Sequence, residues 1–455
     1  MLYNDINMSY GDNKMTKTEH FFRDSMKIAV PVALQAMLQS SFSMIDQLMV
    51  GQLGKTAIAA VEVGGKPEFV FAFVSGAIAT VTGIMVSQYM GKNDQKKINT
   101  SMSVNLLVMM ILAVFTMSVC FFLPHMISGI FTKDTTVIAN AADYIKILAL
   151  VYPLSGISSI LAVQMRCHNH AEYPLYISAV AAVVNTALNY LLIFGHFGFA
   201  PMGVKGAAVA SLMSQIVNLL LMIYYYRKIC SFAVDLHMDS VEIRQYAVML
   251  LPIVINEFLW TMGQNVNTYI YGHMGTSELA GMSLTGPIQG LFIGALSGLS
   301  QAAGILIGRR LGKRDYDKAY EESKQLCLYG LVGSLILSIT LVATKGLYIG
   351  LYNVEVDVSQ VGSQLLVAFA ILAPIKVQNM ILGGGIIRSG GRTKYIMIID
   401  ILGTWLIGVP IGLLTGLALK LPIVWVYFLL SQEELFRLII SIIMFRSKKW
   451  MNTIR

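Results

Sequence analysis

Long apolar runs separated by short polar breaks dominate this 455-residue chain. A membrane-spanning helix needs about 20 mainly apolar residues. Twelve runs meet that length, near 25–50, 64–89, 101–123, 141–165, 174–196, 203–226, 246–271, 284–308, 326–346, 362–387, 395–418 and 421–445. The longest break, 227–244, carries Asp235, His237, Asp239 and Glu242 and divides the runs six and six. The expected organisation is a tail over 1–24, a first lobe over 25–230 with helices 1–6, a linker over 231–245, a second lobe over 246–446 with helices 7–12, and a tail over 447–455. The predicted fold is all-α and polytopic.

The two lobes repeat one another. Pro31 aligns with Pro252, Gly51 with Gly272, Gly54 with Gly275, Gly83 with Gly304, Gly91 with Gly312, Asp94 with Asp315 and Pro153 with Pro374, always 221 residues apart. Each copy holds an even number of crossings, so both run in the same direction and face each other across a pseudo-two-fold axis normal to the bilayer. Parallel repeats of this kind build transporters.

Composition agrees with a membrane class: 56% of residues are hydrophobic and 13% charged, about half the roughly 25% charged share of soluble domains. About 24 of the 33 Lys and Arg residues lie in the N-terminal segment, the even-numbered loops and the C-terminal segment, and positive charge marks the cytoplasmic side. Both termini are therefore expected in the cytoplasm. The net charge of +8 is accounted for by topology and attraction to anionic lipid, so no nucleic-acid partner is expected. No cleavable signal peptide is evident, since the first apolar run is a full span without a small-residue cleavage site. Cys120, Cys167, Cys230 and Cys327 show no metal or disulfide spacing, and His168 and His170, two residues apart, fall on different helix faces.

Polar residues inside the spans carry the candidate chemistry, because intramembrane charge is costly. Gln35, Gln39, Ser43 and Asp46 recur every three to four residues on helix 1, and Glu257, Trp260 or Thr261, Gln264 and Asn267 do so on helix 7. Asp46 lies about 6 Å below the outer end of its helix. Asn185 and Asn189 are one turn apart on helix 5, and a pocket between helices 1 and 5 is expected. With the basic residues of the first-lobe spans lying only toward their ends, as Lys66 and Lys146 do at the outer side, Asp46 either takes up a proton or holds a cation, the two routes to ion coupling. Single Gln, Ser and Asn residues in bundles also act as interhelical glue. In the second lobe, Glu433 and Arg437 are spaced to pair along one helix. Lys376 then needs a partner, and Glu257 or Asp400 is available; a structural ion pair and a coupling role for Glu257 both stay open. Gln378, beside Lys376, joins Gln35, Gln39, Ser43, Trp260, Gln264, Asn267, Lys376 and Asp400 as a candidate for the cavity wall. No His-Glu-x-x-His, Gly-x-Ser-x-Gly or Walker motif occurs, which argues against an enzyme and against ATP as energy source.

The segments 44–54 (MIDQLMVGQLG), 271–275 (YGHMG), 279–281 (LAG), 87–91 (SQYMG), 308–312 (GRRLG), 388–391 (RSGG), 408–410 (GVP) and 447–450 (SKKW) together resemble the multidrug and toxic compound extrusion (MATE) family, bacterial type. The likeness runs over roughly 25–450. It implies a monomeric multi-pass protein of the bacterial inner membrane, with two six-helix lobes forming a V, that exports small organic cations, drugs or metabolites by alternating access. The exchange is against protons or sodium ions, with no other cofactor, in contact with membrane lipids. The family's helix 1 acid matches Asp46, its helix 5 pair matches Asn185 and Asn189, with Asn in place of the second acid, and its helix 7 acid resembles Glu257. Where one branch carries an acid on helix 10, this chain has Lys376, Gln378 and Asn379. The possible sodium ion at Asp46 is the only metal expected. A lipid-linked substrate flippase of the same superfamily and a major-facilitator-type transporter are the alternatives.

Overall fold

The computed structural model describes residues 17–230, 232–350, 352 and 354–454. The parts of the predicted tails and linker at residues 1–16, 231 and 455 lie outside the described residues. The spans are α1 (Lys17–Gly51), α2 (Lys66–Lys92), α3 (Gln95–Phe122), α4 (Thr135–Ala149 and Val151–Cys167), α5 (Glu172–Phe194), α6 (Val204–Ile229), α7 (Ser240–Met274), α8 (Thr276–Gly312) and α9 (Tyr316–Ile349). They are followed by α10 (Val356–Asn379, continued by Met380–Ile387), α11 (Thr393–Ile401, continued to Ala418) and α12 (Ile423–Leu430 and Gln432–Arg446). Short helices Lys55–Gly64 and Pro124–Phe131 flank the outer ends. Among the described residues there is no strand.

Ten of these helices are long and apolar enough to cross a membrane, or eleven when the halves of α4 are joined. The halves of α4 meet at 43°. Pro153 lies four residues after Ala149, and its ring excludes the amide that would have bonded that carbonyl, so the helix breaks at Leu150. Its counterpart Pro374 sits within unbroken α10, so the paired prolines do not produce paired breaks. The twelfth span is broken at Ser431 and carries Glu433, Glu434 and Arg437, which is why it departs from the apolar pattern. Helix α1 begins at Lys17, eight residues before the first apolar run; its 35 residues reach about 52 Å, beyond a hydrocarbon core of about 30 Å.

The repeated Gly-Lys-x-Asp at the inner ends of α2 and α8 has a local cause. Asn93 and Arg314 adopt φ of 56° and 58°, turning the chain. Asp94 and Asp315 then accept from the amides of Lys97 and Lys318 at 3.0 and 3.4 Å and cap α3 and α9. Asp239 and Glu242 form a reciprocal capping box at the start of α7.

The lobes meet along the inner halves of α1, α2, α7 and α8. Gly298 of α8 abuts the backbone of Ala29, Gly308 abuts Ser87, and Gly91 lies 3.0 Å from the Cα of Gly312, measured from where its own Cβ would stand. A side chain at Gly298 would collide with that backbone. Toward the outer ends the helices separate: residues 39–41, 43–45 and 47–48 of α1 are exposed, and Gly286 and Gly290 of α8 face open space. The V is closed at the end assigned by charge to the cytoplasm and open at the other.

The C-terminal segment takes part in that closure. Trp450 is fully buried, stacked on Phe445, which stacks on Tyr320. Thr453 donates to the Leu311 carbonyl at 2.8 Å. Gln88 of α2 donates to the carbonyls of Ser389 (2.6 Å) and Asn452 (3.3 Å) and accepts from the Ile454 amide (2.8 Å), while Lys92 donates to the Ile454 carbonyl. The segment is thus inserted between the lobes. The linker is likewise held: Asp235 accepts from Thr100 at 2.9 Å, its amide donates to Ser103 at 3.0 Å, and Lys97 pairs with Glu242 at 2.9 Å. The His237 amide and Thr100 hydroxyl bonds hold the Asp235 carboxyl below its ordinary range.

Helix α10 is not regular to its end. Over Met380–Ile387 it widens into a π-helix, which takes up one extra residue per turn, and Ser300 bonds the Met380 carbonyl there at 2.7 Å. The repeat offset changes accordingly. It is 221 at Pro153 and Pro374 but 222 at Asn169 and Gly391, both with left-handed backbone at φ 64° and 71°.

Candidate functional site

Helices α1 and α5 bring Asp46, Asn185 and Asn189 together. Asn189 donates to Asp46 Oδ1 at 2.7 Å and to Asn185 Oδ1 at 3.1 Å. With its amide turned over, Asn185 instead donates to the two Asp46 oxygens at 2.9 and 3.1 Å and no longer accepts from Asn189. The one-turn spacing of the asparagines is what lets both side chains reach one carboxylate. Asn189 is 1% exposed and its Oδ1 has no donor, so the nest holds an orphaned acceptor beside an acid. Among the described residues no basic side chain pairs with Asp46. An acid and a spare amide oxygen together suit a bound cation.

The rest of the α1 stripe divides. Gln39 and Ser43 are exposed on the open outer half. Gln35 is buried: it donates to Ser178 Oγ at 2.7 Å and accepts from Arg166 at 2.7 Å, which joins α1, α5 and α4 rather than lining a cavity. Arg166 escaped the sequence reading because the predicted span ended at 165, whereas α4 runs to Cys167. It touches Gln35, eleven residues from Asp46 along α1, about 16 Å, too far to neutralise that acid.

In the second lobe the charges pair differently from expectation. Lys376 meets Glu434 at 3.6 Å, not Glu257 or Asp400. Glu257 faces Arg388 at 3.8 Å, and Asp400 accepts from Asn256 at 2.8 Å and lies 3.8 Å from Arg437. Arg437 joins Glu433 at 3.4 Å, as its spacing predicts, and Glu434 at 3.8 Å, and donates to Thr404. Asn379 donates to the Glu434 carboxylate at 2.8 Å. Gln378 leaves the cavity wall altogether: it donates to the Cys327 carbonyl at 2.8 Å, tying α10 to α9. Trp260, 43% exposed, stands on the surface of α7.

A cavity of about 260 Å³ lies among α7, α8, α10 and α12, with Gln264, Asn267, Gln289, Lys376, Tyr427 and Glu433 in its wall. Of the residues named from sequence as cavity candidates, Gln264, Asn267 and Lys376 lie in this wall. Tyr427 and Glu433, on either side of the break at Ser431, were not named as cavity candidates from sequence.

A family model described as MatE matches residues 31–191 and 252–414, blocks that start at the paired Pro31 and Pro252. The chain belongs to this family. It is a multi-span transporter of the MATE fold. It is similar to the probable multidrug resistance protein NorM of Rhizobium meliloti, 27% identical over 94% of this chain and 93% of the relative. It is also similar to the multidrug resistance protein MdtK of Edwardsiella ictaluri, 24% identical over 87% and 88%. A solved outward-facing structure of a MATE family multidrug resistance transporter superposes with a TM-score of 0.85 at 15% identity, covering 96% of this chain and 99% of that one. The Vibrio cholerae MATE transporter VcmN, in mutant form, superposes with a TM-score of 0.87 at 17% identity, over 96% and 100%.

Proposed function

We propose that this protein is a cation-coupled antiporter of a bacterial inner membrane, with both termini cytoplasmic, that works as a monomer and exports small organic cations, drugs or metabolites. The names of the relatives above favour drugs among the cargo. The observation that carries the coupling reading is the Asp46 nest: an acid with no basic partner, two amides directed at it and an acceptor to spare. A proton on Asp46 or a sodium ion held by Asp46 with Asn185 or Asn189 would remove its charge. Either would weaken the hold on a cationic substrate, and the lobes would alternate their opening by rocking on the α1–α8 and α2–α8 contacts. Substrate enters while the cavity faces the cytoplasm and is displaced when the external cation reaches Asp46. Glu257 is the second coupling candidate, held in reserve by Arg388.

The test uses purified protein in liposomes. Uptake of a fluorescent organic cation is followed under an imposed pH gradient and then a sodium gradient, in wild type and in Asp46→Asn. The expected result is transport under one gradient that Asp46→Asn abolishes; unchanged transport in the variant removes Asp46 as the coupling group.

A further inference from the structure

The second-lobe cavity carries opposite charges with unused bonding capacity. Among the described residues Lys376, its side chain 25% exposed, pairs with Glu434 alone, at 3.6 Å, which leaves spare donors on its ammonium. Glu433, 5% exposed, has the Arg437 pair at 3.4 Å and accepts no hydrogen bond among the described residues, although a carboxylate offers about four acceptor sites. Two further polar atoms in the wall are orphaned. The Tyr427 hydroxyl and Asn267 Oδ1 have no partner, and their side chains are only 4% and 7% exposed. A buried polar group is normally satisfied, so two orphaned buried atoms beside two charged side chains around one space point to a ligand. Leu279, Met282 and Leu430 add apolar wall beside them.

The charges define the ligand's chemistry. A cation alone would meet Lys376, and an anion alone would meet Glu433. A molecule with both a carboxylate and an amine satisfies both, with Tyr427 donating to the carboxylate and Asn267 accepting from the amine. The volume of about 260 Å³ lies just under the roughly 300–1,000 Å³ of drug-sized sites, which suits a small molecule or one end of a larger one. Gln264 and Thr268, both exposed, place the cavity mouth on the outer half of α7, where the lobes are apart.

We infer that this cavity binds a small zwitterion, its carboxylate at Lys376 and Tyr427 and its amine at Glu433 and Asn267. The inference names a substrate class for the export reading and rests on it.

Equilibrium binding to the full chain in lipid nanodiscs, with no ion gradient, tests it by calorimetry. The probes are tryptophan (zwitterion), its methyl ester (cation only) and its N-acetyl derivative (anion only). Tryptophan is expected to bind about tenfold or more tighter than either derivative. Lys376→Gln brings tryptophan down to the level of the ester and leaves the ester unweakened. Tyr427→Phe weakens tryptophan severalfold without lowering the thermal unfolding midpoint, because the hydroxyl has no protein partner to lose. Equal binding of the three probes, no binding of any, or a preference that survives Tyr427→Phe and Lys376→Gln overturns the assignment. Gradient-driven uptake of an organic cation with no zwitterion preference sinks this inference alone, whereas zwitterion binding with no ion-driven transport sinks the antiport reading alone.

Discussion

Deleting residues 452–455 should loosen the closed end of the V. The deletion removes three bonds between the C-terminal segment and α2: Gln88 to the Asn452 carbonyl, the Ile454 amide to Gln88, and Lys92 to the Ile454 carbonyl. Fully buried Trp450 and the direct bond from Gln88 to Ser389 at 2.6 Å remain. At about 0.5–1.5 kcal/mol net for each bond, the loss is roughly 1.5–4.5 kcal/mol, a shift of roughly ten- to 2,000-fold toward the form with its inner end open. Spin labels on Lys96→Cys and Asp317→Cys, both exposed at the inner ends, read the separation by double electron–electron resonance in a background cleared of the native thiols. A second, longer distance should become populated in the shortened chain. Identical distance distributions with and without the four residues would refute the reasoning.

Two further outcomes follow from the packing. Gly298→Leu cannot keep α8 against the Ala29 backbone, so the same pair of labels should report loss of the inner-closed form; a wild-type distribution would show that the close approach is dispensable. Arg437→Met strips Glu433 of its partner and takes one contact each from Glu434 and Asp400, and should lower stability by about 3–5 kcal/mol, the usual cost of breaking a buried pair from one side. Asp400→Asn, which gives up one contact of 3.8 Å, should cost much less in the same thermal unfolding assay.

Features carried within one helix were readable from the chain. The asparagines at one-turn spacing do converge on Asp46, and Glu433 and Arg437 do pair four residues apart. The open outer and closed inner ends were not readable, since they depend on how two lobes meet. Lys376 went to Glu434 because α10 and α12 cross there, and helix crossings leave no spacing signature. The Glu257–Arg388 pair was hidden because the predicted span ended at 387, so that Arg388 read as part of the loop after it. The seat of the C-terminal segment was invisible because a short polar run reads as a tail whether or not another surface receives it.

The widened turn in α10 records how a duplicated gene can drift without breaking its product. One residue added to an ordinary helix swings everything beyond it by about 100°. Here the one-residue difference between the copies falls between Pro374 and Gly391, the stretch that holds the widened turn Met380–Ile387, and the left-handed corner at Gly391 still answers the one at Asn169. Beyond this point the two copies correspond through geometry, not through count. A symmetrised version built by copying the first lobe at a constant offset would therefore place Arg166 one step short of Arg388, on a different face of the helix. Restoring perfect repetition would cost the molecule an inner ion pair that its imperfect repetition preserves.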